Sequence, residues 1–234
     1  LETKTSLPPL ILDADVSGLS FSGDSSLVAT TYENGDKVIV WNVNTGEKTN
    51  EVQFDQTALT ISFDPTQSST LAVGFIGKTI LWDLASEKEI ATLNQIGNIG
   101  SLTYSKDGKW LATTSSEGSI YLWDMLSSDL STPKYKLQQG GKITSLDFSG
   151  NDLLLASAGG NFAYLWDLTT GQEVRTLQGH SSSVMAVTVT PDGRQAVSAG
   201  DDGALRVWDL KTGQTRRTLE GHASAVRGVA LTPD

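Results

Sequence analysis

The 234-residue sequence predicts an all-β protein assembled from copies of one small antiparallel sheet. Three observations lead there. Trp41, Trp82, Trp123, Trp166 and Trp208 recur at intervals of 41, 41, 43 and 42 residues, each closing a short apolar run: VIVW, TILW, IYLW, AYLW and LRVW. Within each interval, runs rich in β-branched and aromatic residues alternate with turns built on Gly, Asp, Asn and Pro, the chemistry of strands joined by tight connections. No window carries the long apolar stripe at a 3.6-residue period that an amphipathic helix needs.

The elements follow in order. Residues 1–9 are a polar, proline-containing lead-in, and residues 10–13 read as an early strand or a plain linker. The first copy (15–54) places strands at 18–21, 27–31, 37–41 and 51–54, with the turn Tyr32-Glu33-Asn34-Gly35, where Asn-Gly favours positive φ. The second (55–96) places them at 60–63, 71–75, 79–82 and 89–93, with a short turn at Ile76-Gly77-Lys78. The third (97–139) has strands at 101–104, 110–114, 119–123 and 134–137, and a longer loop at 127–133 accounts for the widest tryptophan interval. The fourth (140–179) has strands at 143–148, 153–157, 162–166 and 173–177. Its turn Gly159-Gly160-Asn161 is no phosphate loop, because no helix follows and the G-K-[ST] ending is missing. The fifth (180–220) has strands at 184–190, 195–199, 204–208 and 215–219. A partial sixth (221–234) offers a single strand at 226–232. A four-stranded sheet of such short strands cannot bury both apolar faces alone, so stacking on neighbouring copies must supply the core.

Four of the five tryptophans are followed by Asp (83, 124, 167 and 209), the first by Asn42, and the late copies open on Gly179-His180 and Gly221-His222. With this G-H…W-D pattern the chain resembles the WD40-repeat family of β-propellers over nearly its whole length. The resemblance implies a WD40-like propeller of four-stranded antiparallel blades. Five complete repeats plus a partial sixth suggest part of a ring, seven-bladed or completed by another chain, and residues 10–13 suit the outer strand that closes such rings. It also implies a structural hydrogen-bond tetrad in the fifth copy: His180, Ser198, Asp202 and Trp208. A buried imidazole and a buried indole N–H need partners, and a carboxylate fixes the histidine tautomer, so these residues are read as structural. The counterparts of Asp202 in the earlier copies are Gly35, Ile76, Glu117 and Gly160. The late copies are the more regular, and all six arginines lie at or after Arg175, while ten of eleven lysines precede it. They resemble the WD40 repeats of bacterial multidomain signalling proteins.

Composition narrows the function. A net charge of −10 argues against nonspecific binding to nucleic acid or anionic membrane. The absence of cysteine excludes a disulfide framework and thiolate metal sites, and no apolar run approaches the length of a membrane span. The first residues lack the pattern of a secretory signal and a starting Met, so a piece of a longer cytoplasmic chain is expected. No zinc-protease, nucleophile-elbow, P-loop or kinase motif is present, so neither a catalytic site nor a cofactor is expected.

The remaining candidates lie on turns. In a WD40-like fold the turns between second and third strands share one face with the connections between blades, and that face is the usual partner surface. Here it should carry Tyr32, Glu33, Phe75, Glu117, Phe162, Ser182 and Asp201. Aromatic side chains among carboxylates would anchor a basic protein or peptide, against the alternative that Phe75 and Phe162 pack across seams. The expected role is a non-catalytic protein-interaction scaffold or sensing domain of a larger signalling protein. The alternative is an assembly module whose open edges pair with another chain.

Overall fold

The computed structural model describes residues 15–149, 153–158 and 160–231. They form five four-stranded antiparallel sheets, each made by four consecutive strands in simple up-and-down order. The first comprises β1 (Val16–Phe21), β2 (Leu27–Tyr32), β3 (Lys37–Asn42) and β4 (Lys48–Gln53). The second comprises β5 (Thr60–Asp64), β6 (Gln67–Gly74), β7 (Ile76–Asp83) and β8 (Lys88–Asn98). The third comprises β9 (Leu102–Tyr104), β10 (Trp110–Thr114), β11 (Ser119–Asp124) and β12 (Tyr135–Gln138). The fourth comprises β13 (Ile143–Phe148), β14 (Leu153–Ala158), β15 (Phe162–Asp167) and β16 (Gln172–Gln178). The fifth comprises β17 (Val184–Val189), β18 (Gln195–Gly200), β19 (Leu205–Asp209) and β20 (Thr215–Leu219).

Position within a sheet dictates composition. Second strands such as LVATTY and QAVSAG lie inside their sheets, are buried almost throughout, and are rich in small or β-branched residues. Fourth strands such as KTNEVQ and TRRTL are largely exposed and polar, and their charges guard the free edge against adventitious pairing. The third-to-fourth strand register shifts at the tryptophan step in the first, second, fourth and fifth sheets. Such bulges twist a strand locally and re-aim a side chain.

The core lies in the seams between consecutive sheets. Val38, Val40 and Val52 of the first meet Ile61, Phe63, Leu71 and Ile80 of the second. Leu81 and Leu93 meet Leu111, Tyr121 and Trp123. Ile120 and Leu122 meet Leu146, Phe148 and Trp166. Leu165 and Leu177 meet Val187, Val189 and Trp208. The sheets thus stack in sequence order, and the described residues show no packed return from the fifth to the first.

Two expectations change. The strand expected at 226–232 does not form among the described residues 226–231. Val226 N–H still donates to Gly200 O at 3.1 Å, as Val184 N–H donates to Gly160 O at 3.0 Å one sheet earlier. The segment therefore begins as an inner strand does, but no second strand lies beside it to complete a ladder. In the second sheet, β8 continues to Asn98, beyond the expected end at 93, because Ile76 pairs with Asn98 and Lys78 with Asn94. The strand considered at 10–13 lies outside the described residues.

Candidate functional site

The polar seam of the fifth sheet is built by two strand positions, one turn and the connection that leads into β17. Trp208 lies opposite Ala196 on β18, so its indole reaches the hydroxyl two residues further on. Trp208 Nε1–H donates to Ser198 Oγ at 2.8 Å, and Ser198 Oγ lies 2.7 Å from His180 Nε2. His180 Nδ1 lies 3.0 Å from both Asp202 oxygens. Because Asp202 can only accept, Nδ1–H donates to it, and in the neutral imidazole Nε2 accepts from Ser198, which gives a network that runs in one direction from indole to carboxylate. Asp202 also accepts from Ser181 N–H at 2.9 Å and Ala204 N–H at 3.2 Å, which ties the connection to the turn. With His180 and Ser198 both buried, this arrangement holds a seam together and offers no exposed base.

The other sheets meet the same need differently. In the third, Trp123 Nε1–H donates to Thr113 Oγ1 at 3.2 Å, and Thr113 donates to Gln95 Oε1. Gln95 Nε2–H donates in turn to Thr114 O at 2.9 Å, so an amide does the work of the imidazole. In the first, Trp41 Nε1–H donates to Thr30 Oγ1 at 3.1 Å, which lies 3.0 Å from the Tyr32 hydroxyl. The second sheet abandons polarity: Val73 stands at the hydroxyl position, and Phe54 meets Trp82 edge-on at 5.5 Å. Sequence reading did not single out Gln95 or Thr30; a hydroxyl two residues past the residue opposite the tryptophan is the signal that finds Thr30, whereas Gln95 is recognised only by its bond to Thr113.

The turns between second and third strands are bonded to the connections between sheets. Ala58 N–H donates to Gly35 O at 2.9 Å, Ile99 N–H to Phe75 O at 3.4 Å, and Asp201 N–H to Ser183 O at 2.8 Å. On this edge Glu33, Glu117 and Asp201 are exposed, while Phe162 and Ser182 are half-buried. Ser182 Oγ lies 3.4 Å from Asp201 Oδ2. Two candidates are not accessible there. Phe75 is 0% exposed: the tight Ile76-Gly77 turn, with Gly77 at φ 78°, sends its ring into the first seam, 5.0 Å from Phe54. Tyr32 is buried with its hydroxyl on Thr30. The apolar side chains that do project at this edge are Ile76, 60% exposed, and Ile96, 59% exposed, on the lengthened β7–β8 hairpin.

At the opposite edge, a cavity of about 410 Å³ is lined by residues including Lys106, Asp147, Thr188 and Leu231. Asp147 Oδ2 accepts from Val189 N–H at 2.7 Å and from the Thr188 hydroxyl at 2.9 Å, joining the fourth sheet to the fifth. The Asp and Asn residues after the tryptophans accept from the backbone of the turns they open. Asn42 takes Asn44 and Thr45 N–H, Asp83 takes Ala85 and Ser86 N–H, and Asp167 takes Thr169 N–H at 2.8 Å. Those donors hold the Asp83 and Asp167 carboxyls below the usual range, with the Ser86 and Thr169 hydroxyls as the largest influence on each. Among the described residues no group of three or more His, Asp or Glu could hold a metal ion, and no helix is long and apolar enough to cross a membrane.

Comparison with known proteins agrees with this geometry. Residues 87–124, 131–167 and 171–209 match the family described as WD40: WD domain, G-beta repeat. The chain is similar to a Protein LST8 homolog of Drosophila melanogaster, 25% identical over 182 residues, covering 76% of this chain and 58% of that protein. It is similar to Apoptotic protease-activating factor 1 of Homo sapiens, 27% identical over 197 residues, covering 79% of this chain and 15% of that protein. A Guanine nucleotide-binding protein subunit beta of Solanum tuberosum is 26% identical over 209 residues, covering 82% of this chain and 55% of its own length. The chain thus spans less than two thirds of each of these relatives.

Proposed function

The chain belongs to the WD40-repeat family, and from that premise we propose that it is a non-catalytic protein-interaction module, the scaffold or sensing part of a larger protein. The observation that carries this reading is the turn edge. There Glu33, Glu117 and Asp201 stand exposed on the same edge as the projecting Ile76 and Ile96, on backbone fixed by bonds between turns and connections. Apolar anchors among carboxylates suit a basic segment with a bulky apolar residue. The test is fluorescence anisotropy against matched basic and acidic peptides carrying the same aromatic anchor. The basic set should bind, and reversing charge at Glu33, Glu117 and Asp201 to Lys should weaken it at least tenfold. Equal binding of the acidic set, or indifference to the reversal, would overturn the reading.

A second reading concerns the two ends of the stack. Leu19 and Phe21 of β1 occupy the positions that Ile61 and Phe63 occupy in β5, yet they are 61% and 54% exposed where their counterparts are 4% and 3%. At the far end Leu205 pairs with Leu219 as Val38 pairs with Val52 in the first seam, and Leu219 is 48% exposed. Each end face is thus half of a seam that the interior shows complete. We infer that further repeat sheets cover both faces and close a propeller ring, whether from the same polypeptide or another.

A further inference from the structure

We propose that the fourth sheet holds a bound water molecule between Trp166 and Gln139, at the position where the third and fifth sheets place a side-chain hydroxyl. Register carries the first half of the argument. Trp123 lies opposite Leu111, and the bridging Thr113 stands two residues further along; Trp208 lies opposite Ala196, and Ser198 stands two further along. Trp166 lies opposite Leu154, and two residues further along stands Ala156, which has no hydroxyl. The other partner has kept its place. Gln95 follows Leu93 by two residues, and Leu93 pairs with Thr79 of the third strand; Gln139 follows Leu137 by two, and Leu137 pairs with Ile120 at the corresponding step. Gln139 is therefore the counterpart of Gln95, whose amide completes the third sheet's network.

Unsatisfied chemistry carries the second half. Trp166 Nε1 and both polar atoms of Gln139 are buried and have no hydrogen-bond partner among the described residues. An indole N–H only donates, and the amide offers one acceptor and two donors. A group that accepts from the indole and donates to the amide oxygen is what Thr113 supplies in the third sheet. Water does both, and buried polar groups of this kind are where ordered water is found. The second sheet is the internal control. Trp82 Nε1 is likewise buried without a partner, but Val73 stands at its hydroxyl position and Phe54 packs against its ring. Phe54 follows Val52 by two residues and Val52 pairs with Val38, so a phenyl ring fills the slot held by Gln95 and Gln139 in the next two seams; without that amide a water there would lack the two to four partners it needs, and that seam stays dry.

The experiment is a rotating-frame water-to-indole cross-relaxation measurement on the whole chain labelled with 15N at tryptophan. A cross-peak from long-lived water is expected at the Trp166 indole proton and not at that of Trp82. Ala156→Ser should supply the hydroxyl, abolish the cross-peak and raise Tm by about 2–4 °C. No cross-peak at Trp166, an equal one at Trp82, or one that persists in folded A156S would overturn the proposal. Should A156S not fold, the comparison of the two indoles within the unaltered chain decides it.

Discussion

Asp202 ties a connection to a turn and Asp147 joins one strand to another, yet their surroundings push their carboxyls in opposite directions. Burial acts to raise Asp202, but the Ser181 N–H, the His180 ring and the Ala204 N–H favour the ionised form and hold it below the usual range. Its contribution to stability is present above the ordinary carboxylate pKa and lost as pH falls through the depressed value. Asp147 is raised. Burial outweighs the Val189 N–H, the Thr188 hydroxyl and the charge of Lys106, so the folded chain keeps this proton at a pH where the unfolded chain has released it. Stability from this group therefore declines as pH rises from about 4 towards the raised value. Asp147→Asn keeps an acceptor for Val189 N–H and removes the ionisation. The urea midpoint of D147N minus that of the unaltered chain should grow as pH rises across that window and then level off. A difference that stays constant from pH 4 to 7 would contradict the assignment.

At the scale of the element, glycine fixes how a turn meets the neighbouring connection. Gly118, in the turn between β10 and β11, has φ 78°, and a Cβ there would lie 2.5 Å from Gly141 O. Gly160, in the turn between β14 and β15, has nothing within 4 Å of such an atom. Gly118→Ala meets both left-handed backbone and a carbonyl that cannot step aside, so it should cost more than ~1 kcal/mol. Gly160→Ala should stay within about 0.5 kcal/mol of the unaltered chain. Chemical denaturation of the two variants makes the comparison, and equal losses would refute it. This scale also shows what can be read from residues alone. The strand order and the tryptophan steps follow from local chemistry, and His180, Ser198, Asp202 and Trp208 are legible because each is a distinctive residue in a distinctive slot. Gln95 is not, since an amide standing in for an imidazole is recognised only once Thr113 is placed beside it. The burial of Phe75 depends on a two-residue turn aiming its ring at Phe54. Residues 226–231 have the composition of a strand, but a strand exists only where a ladder partner lies alongside.

At the scale of the molecule, the end faces set how the chain behaves in solution. Fully burying a Leu or Phe side chain gives about 1.5–3 kcal/mol, and the interior seams bury Ile61 and Phe63 almost completely while Leu19 and Phe21 stay more than half exposed. Together with Leu219 at the other end, that leaves several kcal/mol of apolar stabilisation available to any surface that covers these faces, set against the entropy of association. Exposed contiguous apolar surface of this kind drives contact between molecules. The apparent mass of the isolated chain in light scattering behind size exclusion should therefore start near 24.9 kDa at low concentration and rise as concentration increases. Because the contact is apolar, raising the salt concentration should not reverse the rise, whereas contacts between exposed charges would be screened. Leu19→Asp with Phe21→Asp should hold the chain at monomer mass over the same range without loss of folded stability, because neither side chain is buried in the stack. A monomer at every concentration, or association that the double substitution leaves intact, would mean that these faces are not the half-seams their residues describe.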